Sequence, residues 1–455
     1  MENQAKIVGY LPDERPSIPK LLFFAFQQML VMFPATVLVA MLTGFHLSTT
    51  IFASGVATIG FLLITRGKLP LYYGSSFSYI PAICAITGAS FGQTVADDLI
   101  SRAQFGIICS GVISIIAGLI VAKFGMRIIE KVLPPTITGP IAMVIGLSLT
   151  AVAIKEASNY DDVTNTTEPT AWIVAIITLA ATVFLSVYLK GVLGQLSILI
   201  GIIIGYIAAI CFGMIDFAAF TENVKAAQIV AVPHFTLPKA DWTVVFSIMP
   251  IALATIPEST AHLLQLDLYV NDLSKKKGGK EYDIKNKLGL NLIGDGAADI
   301  ISSAFGGPAG TNYGENLSTM AITRNFSTAV LFVAAIMAII ISFFTPLTIF
   351  IRTVPDAVIN GACIFLFGAI AAQGAAIMID KKVDMFNARN LAVVAIIFVV
   401  GLGGSFAFPD GIIPIVGNPA DGGFGLSAIA VASIVGIIFN LLLSIGAKKE
   451  EPAAQ

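Results

Sequence analysis

No charged residue interrupts the chain from Leu21 to Leu42, and apolar runs of this kind recur almost to its C-terminus. A run of roughly 17–25 apolar residues is what an α-helix needs to cross the ~30 Å hydrocarbon core of a bilayer. Within that layer every backbone N–H and C=O must be satisfied inside the protein, which leaves helices and closed barrels as the spanning structures. Only 12% of the 455 residues are charged and 56% are hydrophobic, about half the charge of an ordinary soluble domain. The pattern predicts an all-α polytopic membrane protein. The polar N-terminus, MENQAKIVGYLPDERPSIPK, lacks the short apolar core of a cleavable signal peptide.

Counting such runs, interrupted ones included, gives about fourteen crossings. They begin near Leu21, Ser48, Gln104, Thr136, Ala171, Val192, Val244, Asn286, Thr328, Asp356, Ala392 and Leu426. Two weaker segments, Leu71–Ser90 and Ala309–Arg324, are broken by Gly, Ser and Pro. Loop charge favours including both. With the weak pair crossing, Arg66/Lys68, Lys123/Arg127/Lys131, Lys190, Lys275–Lys277 with Lys280, Arg324, Lys381/Lys382 and Lys448/Lys449 share the N-terminal side. The acidic loop EASNYDDVTNTTEP and the long loop 215–242 fall opposite, and only Arg102 and Arg352 dissent. Excess Lys and Arg marks the cytoplasmic side, so both termini are expected in the cytoplasm and the chain in the cell membrane. Trp172 and Trp242 then open spans at the interface, where indole is favoured.

Fourteen divides into two sevens, and an odd number inserts the second half upside down relative to the first. A short echo supports this inverted repeat. Tyr73-Gly74-Ser75-Ser76-Phe77-Ser78 lies in the third segment, and Tyr313-Gly314-Glu315-Asn316-Leu317-Ser318 lies in its counterpart, the tenth. Paired broken segments in inverted halves are the best sequence pointer to a transporter's binding site. Short extended strands over 73–81 and 309–316, each followed by a half-helix, are therefore expected near the midplane. Their free N–H groups and half-helix N-termini suit a ligand's oxygens, with Gly314 and the backbone of Phe77 as the candidate donors. These glycines also fit simple close packing between helices.

Two acids stand in apolar surroundings. Glu315 belongs to the tenth segment, and Glu258, after Pro257, falls near the middle of the eighth. A charge at the bilayer centre costs about 2.5–3.5 kcal/mol or more, so such acids face cavities and mark substrate or ion paths. His262 follows Glu258 by one helical turn on the same face. Together they could take up and release a proton as access alternates; a neutral histidine satisfied by a hydroxyl is the other reading. Gln27 and Gln28 put adjacent amides in the first span, one facing the site or bracing a glutamate and the other pairing between helices. Asp295 and Asp299 suit structural bracing, and Arg324 suits an anchor at the membrane surface.

Cys84, Cys109, Cys211 and Cys363 lie singly in apolar stretches and read as packing residues, with no metal-type spacing. Neither a metal nor a cofactor is expected. No nucleophile–base constellation suggests an enzyme, and no basic stripe suggests nucleic acid.

Five stretches carry a specific resemblance: FQQMLVMFPATVLVAMLTG, LPLYYGSSFSYIPA, PESTAHLLQL, GGPAGTNYGENLSTMAITR and KKVDMFNARNLAVVAIIFVVG. Over roughly residues 15–446 the chain resembles the nucleobase–ascorbate transporter family, most of all its bacterial uracil/proton symporters. The family signature falls on Glu315, Asn316, Leu317, Ser318, Thr319–Ile322, Thr323 and Arg324. The resemblance implies a core domain from 20–124 and 244–345 and a gate domain from 130–215 and 350–446. It implies further that Glu258 and Glu315 accept the ring N–H groups of a pyrimidine and that Phe77 and Gly314 donate to its carbonyls. Tyr313 would flank the ring, His262 would assist proton coupling, and Asn316, Gln27 and Gln28 would support the site. A homodimer is also implied. An acid at the signature's first position resembles the uracil branch, whereas purine members often carry Gln there. The chain departs from the family pattern at Ser318, usually Gly; at Gln28, usually His; and at Ser259 and Ala261, where the uracil branch has His and Gly. The alternatives are a purine such as xanthine or urate, or an anion carried by the same architecture.

Overall fold

The computed structural model describes residues 9–89, 92–126, 132–161, 164–417 and 424–445. Ser90, Arg127, Lys131, Asp162, Lys448 and Lys449 lie outside the described residues. Among the described residues, eight helices are long and apolar enough to cross a membrane, and four shorter apolar helices accompany them. The chain is a multi-pass membrane protein.

The first half comprises α1 (Ile18–Thr43), α2 (Leu47–Ile64), β1 (Tyr73–Ser75), α3 (Ile80–Thr87), α4 (Asp97–Phe124), α5 (Pro135–Ala157), α6 (Pro169–Tyr188) and α7 (Ser197–Cys211). A connecting helix α8 (Phe217–Ala226) and a short α9 (Trp242–Ile248) lead into α10 (Ala252–Lys276). The chain continues with α11 (Leu288–Ala304), β2 (Gly310–Asn312), α12 (Gly314–Thr323), α13 (Thr328–Ser342), α14 (Thr345–Ile351), α15 (Asp356–Asp380) and α16 (Ala388–Ala407). It ends with β3 (Ile412–Val416), β4 (Phe424–Ser427) and α17 (Ala428–Ser444).

Strands β1 and β2 fall inside the two interrupted stretches and pair antiparallel, Tyr73 opposite Asn312, Gly74 opposite Thr311 and Ser75 opposite Gly310. Two strands in a helical membrane protein leave their outer edges without ladder partners, and hydrocarbon offers none. Helix side chains supply them. Ser54 Oγ and Thr58 Oγ1 of α2 donate to the Tyr73 carbonyl at 3.0 and 2.9 Å. Thr58 Oγ1 also accepts from Tyr73 N at 3.2 Å. On the other edge, Gly310 N donates to Asp299 Oδ1 of α11 at 2.9 Å.

Close helix crossings hold this unit. Gly111 of α4 meets Gly296 of α11, where a β-carbon on Gly296 would stand 2.2 Å from the Gly111 carbonyl oxygen. Gly139 of α5 meets Gly374 of α15 in the same way, at 2.5 Å from the Gly139 carbonyl oxygen. Lipid gives helices no hydrophobic reason to associate, so van der Waals contact through small residues carries the packing. One apolar cluster runs through α1, α2, α4, α10, α11 and α13 into α5 and α15. A second, smaller one joins Ala157, Ala171, Val174, Ala175, Ala209, Ala357 and Val358 of α5, α6, α7 and α15.

Four features differ from the sequence expectation. The strands expected over 73–81 and 309–316 span only Tyr73–Ser75 and Gly310–Asn312, because helical turns begin at Phe77 and Gly314. The segment expected from Val192 is a four-residue helical turn, Val192–Gln195, followed by the fifteen-residue α7. Loop 215–242 contains α8, capped by Asp216, whose carboxylate accepts from Ala218 N and Ala219 N at 2.9 Å each. The β3–β4 hairpin was not expected in an all-α chain; its pairing slips between Pro414 and Val416, as a proline that cannot donate to a ladder encourages.

Candidate substrate site

The site forms where two helices begin and a third passes. Tyr313 is the N-cap of α12, so Gly314 and Glu315 occupy that helix's first turn. On the other strand, a tight turn over Phe77–Tyr79, capped by Ser76, leads into α3. Both strands thus end in helix N-termini, whose unpaired N–H groups favour negative charge or carbonyl oxygen.

Helix α10 brings Glu258 and His262 to this junction. A β-carbon on Gly314 would lie 2.8 Å from His262 Nε2, so the imidazole reaches the start of α12 only because residue 314 has no side chain. His262 also lies against the backbone of Asn312, and its Nδ1 is buried without a partner. Glu258 is within hydrogen-bonding reach of the Ser78 hydroxyl and within electrostatic reach of Glu315. Two acids and an imidazole therefore meet beside the strand ends. Phe77, Glu258, His262, Gly314 and Glu315 are half-buried, while Ser76, Ser78, Ser259, Asn312, Tyr313 and Asn316 around them are buried.

A buried polar network holds the strands behind these groups. Ser259 Oγ donates to Asp295 Oδ2 and accepts from Asn291 Nδ2 at 2.7 Å and from Asn312 Nδ2 at 3.1 Å. Asn312 Nδ2 also reaches Asn291 Oδ1 at 3.1 Å. Asp299 Oδ1 accepts from the Tyr73 hydroxyl at 2.5 Å in addition to Gly310 N. Asp295 and Asp299 brace β2 and β1, the role expected for them. Within it, Asp295 Oδ1 and Asn312 Oδ1 are buried without a partner, so the network is only partly satisfied.

The two amides of α1 divide the work. Gln28 accepts from Asn316 Nδ2 through its carbonyl oxygen at 2.9 Å and its Oε1 at 2.8 Å, which ties α12 to α1. Gln27 is buried with its Oε1 unpartnered. Tyr313 is buried, its ring packed where a β-carbon on Gly74 would stand. Its hydroxyl donates to the Ser75 carbonyl at 3.0 Å and lies 3.1 Å from Thr36 Oγ1. Sequence reasoning did not select Asn291 or Asn312, and it named Tyr73, Ser78 and Ser259 only as parts of a motif or of a family departure, with no bracing role. Small polar residues in apolar helices were the available signal, and their partners lie far away in sequence.

Among the described residues, no three His, Cys, Asp or Glu at this junction stand at metal-ligand spacing. A cavity of about 460 Å³ lies elsewhere, lined by Met214, Asp216, Phe220, Asn223, Ile349 and Arg352, and shares none of the site residues.

The permease family Xan_ur_permease matches residues 19–409. The chain belongs to this family, that of the nucleobase–ascorbate transporters. It is a permease and not an enzyme. The uracil permease of Bacillus caldolyticus is 36% identical over 439 residues, covering 95% of this chain and 94% of the relative. That of Bacillus subtilis is 34% identical over 438 residues, covering 94% and 93%. Murine Slc26a9, an anion transporter solved in its inward-facing state, shares the fold with a TM-score of 0.67 at 12% identity, over 96% of this chain and 70% of that one.

Proposed function

We propose that this permease imports uracil, or a closely related pyrimidine base, together with protons across the cell membrane. The observation that carries the reading is the contact between His262 and Gly314. It brings Glu258 and His262 of α10 together with Glu315 at the N-terminus of α12. Uracil offers two N–H donors and two carbonyl acceptors in one plane. Glu258 and Glu315 can accept from the N–H groups, and the backbone at Phe77 and Gly314 can donate to the carbonyls. Tyr313 forms a wall of the crossing, while Asn316, Gln27 and Gln28 support it. A base that leaves one of these buried groups unpaired forfeits roughly 1–3 kcal/mol, more where the group is charged. Two close relatives that carry the name uracil permease support the same substrate.

Proton coupling is assigned to the Glu258–His262 pair, one helical turn apart. Alternating access follows from a seven-plus-seven inverted repeat of fourteen segments, with a core (20–124 and 244–345) moving against a gate (130–215 and 350–446). Repeated packing relations support this reading: α4 lies against α11 as α13 lies against α2, and α6 against α7 as α16 against α17. Positive loops on the N-terminal side support cytoplasmic termini. A homodimer is part of the same proposal.

Uptake of labelled uracil into proteoliposomes under an inward proton gradient tests it. Accumulation that collapses with the gradient and is lost in both Glu258→Gln and Glu315→Gln is expected. Uptake indifferent to the gradient, or undiminished in both variants, refutes it. Unlabelled xanthine or urate as competitors separates the purine reading. The shared fold of the anion transporter favours a further reading, anion transport, but two carboxylates repel an anion. Inhibition by bicarbonate, sulfate or chloride would reverse that judgement.

A further inference from the structure

The chain has three histidines, and two of them meet far from the transport site. His46 follows α1 at the end remote from Ile18, in the short connection to α2. Asp97 opens α4. His234 sits in the extended segment between α8 and α9. Asp97 joins the pair: Oδ1 lies 3.0 Å from His46 Nε2 and Oδ2 lies 2.8 Å from His234 Nε2. The two imidazole centroids are 4.3 Å apart, and one donor atom from each of the three residues lies within 4.8 Å of the others. His46 is half-buried, whereas Asp97 and His234 are exposed, so an ion reaches them directly from water.

Neighbouring contacts fix this convergence, although His46 and His234 stand 51 and 137 residues from Asp97 in the chain. Thr49 Oγ1 donates to the His234 carbonyl at 2.6 Å. Gln104 and Thr236 are doubly joined, Nε2 to carbonyl oxygen and Oγ1 to Oε1, each at 2.9 Å. Lys239 N donates to the Ser101 carbonyl at 2.9 Å. The backbone on both sides of His234 is therefore pinned to α2 and α4 before any ion arrives.

We propose that His46, Asp97 and His234 form a binding site for a zinc-class divalent ion. Two imidazoles and a carboxylate are a donor set that zinc accepts, with water at the remaining position. Metal–ligand bonds of about 2.0–2.2 Å place neighbouring donors of a tetrahedron roughly 3.3 Å apart. The present N···O separations, 3.0 Å to Oδ1 and 2.8 Å to Oδ2, must open slightly, and the two imidazole nitrogens, which with the carboxylate lie within 4.8 Å of one another, must close on the same ion. Magnesium and calcium favour larger sets of oxygen ligands, and a single carboxylate supplies too few. Arg352, which donates to Thr94 Oγ1 at 2.7 Å, acts on His46 electrostatically and opposes the ion. Once bound, the ion staples the α1–α2 connection, the start of α4 and the segment before α9 into one unit. The inference does not depend on which substrate is carried.

The test is metal binding by the full-length protein in detergent micelles. Zinc is expected to raise the melting temperature saturably at one equivalent, and cobalt to give the visible absorption of a low-coordinate nitrogen–oxygen site. Magnesium and calcium at the same concentration should do neither. His46→Gln and His234→Gln should each weaken zinc binding by roughly tenfold or more, Arg352→Gln should tighten it, and His262→Gln should leave it unchanged. The absence of a saturable cobalt spectrum in the unmodified chain overturns the proposal without any variant. Zinc binding that survives both substitutions at 46 and 234, or that is lost with His262→Gln, overturns it as well.

Discussion

His262 Nε2 lies where the β-carbon of any residue other than glycine at position 314 would intrude, 2.8 Å away. Helices α10 and α12 therefore meet through an imidazole and a bare backbone. In Gly314→Ala the ring must move away from the first turn of α12. Overpacking of this kind costs about 1–3 kcal/mol, and the shift also displaces the neighbour of both glutamates. Uracil affinity should fall roughly tenfold or more, with a melting temperature only a few degrees lower. Calorimetric titration beside a thermal melt separates the two effects. Affinity equal to that of the parent would mean that the contact has no bearing on binding.

Glu258 and Glu315 meet from different helices, and each is assigned one ring N–H. A hydrogen bond to a charged group contributes about 1.5–3 kcal/mol, so Glu258→Gln and Glu315→Gln should each weaken binding by roughly 10- to 100-fold. The amide can still accept at Oε1, so each loss should be partial. Glu258→Gln should additionally uncouple uptake from the proton gradient, because it removes one member of the pair with His262. Counterflow in the absence of a gradient isolates this second effect. Counterflow and gradient-driven uptake that fall in equal proportion would remove Glu258 from the coupling route.

Asp299 ties both strands together, accepting from the Tyr73 hydroxyl and Gly310 N at one oxygen, Oδ1. Asn retains an oxygen that can accept from both; Ala retains none. Leaving two buried donors unpaired costs about 1–3 kcal/mol each. Asp299→Ala should therefore lower the melting temperature by several degrees and abolish uptake, whereas Asp299→Asn should stay close to the parent in both. An Asn variant that folds normally but no longer responds to the proton gradient would show that Asp299 carries protons and does more than brace.

How far the sequence could reach is visible in these same residues. Glu258, His262 and Glu315 were legible because an ionisable group in an apolar run is costly and demands a reason. The broken stretches were legible because Gly, Ser and Pro do not sustain a spanning helix, and strands β1 and β2 fall within them. Of the bracing network, only Asp295 and Asp299 were. Ser259, Asn291 and Asn312 come from α10, α11 and β2, and small polar residues at helical spacing look alike whether they pair or merely pack. For Gln27 and Gln28 the residue types were informative, but only the position of α12 decides that Asn316 meets Gln28. His46, Asp97 and His234 carried no local signal at all. The β3–β4 hairpin was hidden because Ile412–Val416 is as apolar as a helix end, and periodicity cannot separate the two over so short a run.

At the opposite end of α1 from His46, the N-terminal segment is clamped to the connection after α10. The Tyr282 hydroxyl donates to Asp13 Oδ1, and Lys280 Nζ lies 3.3 Å from Asp13 Oδ2. The Tyr282 hydrogen bond, aided by Lys280, holds the Asp13 carboxyl below its ordinary value of 3.8. A carboxyl with a lower pKa in the folded state stabilises it fully above the unfolded value, and that contribution is lost as pH falls through the folded one. Asp13 is 58% exposed, so the consequence is local loosening and not global unfolding. Amide protection across residues 9–17, corrected for intrinsic exchange rates, should be constant from about pH 8 to pH 5 and decline below about pH 4. Asp13→Asn should remove that step while leaving neutral-pH protection slightly reduced, and Tyr282→Phe should shift it to higher pH by removing the larger of the two supports. Hydrogen exchange followed by mass spectrometry reads all three, and a decline that persists unchanged in Asp13→Asn would assign the clamp to another group.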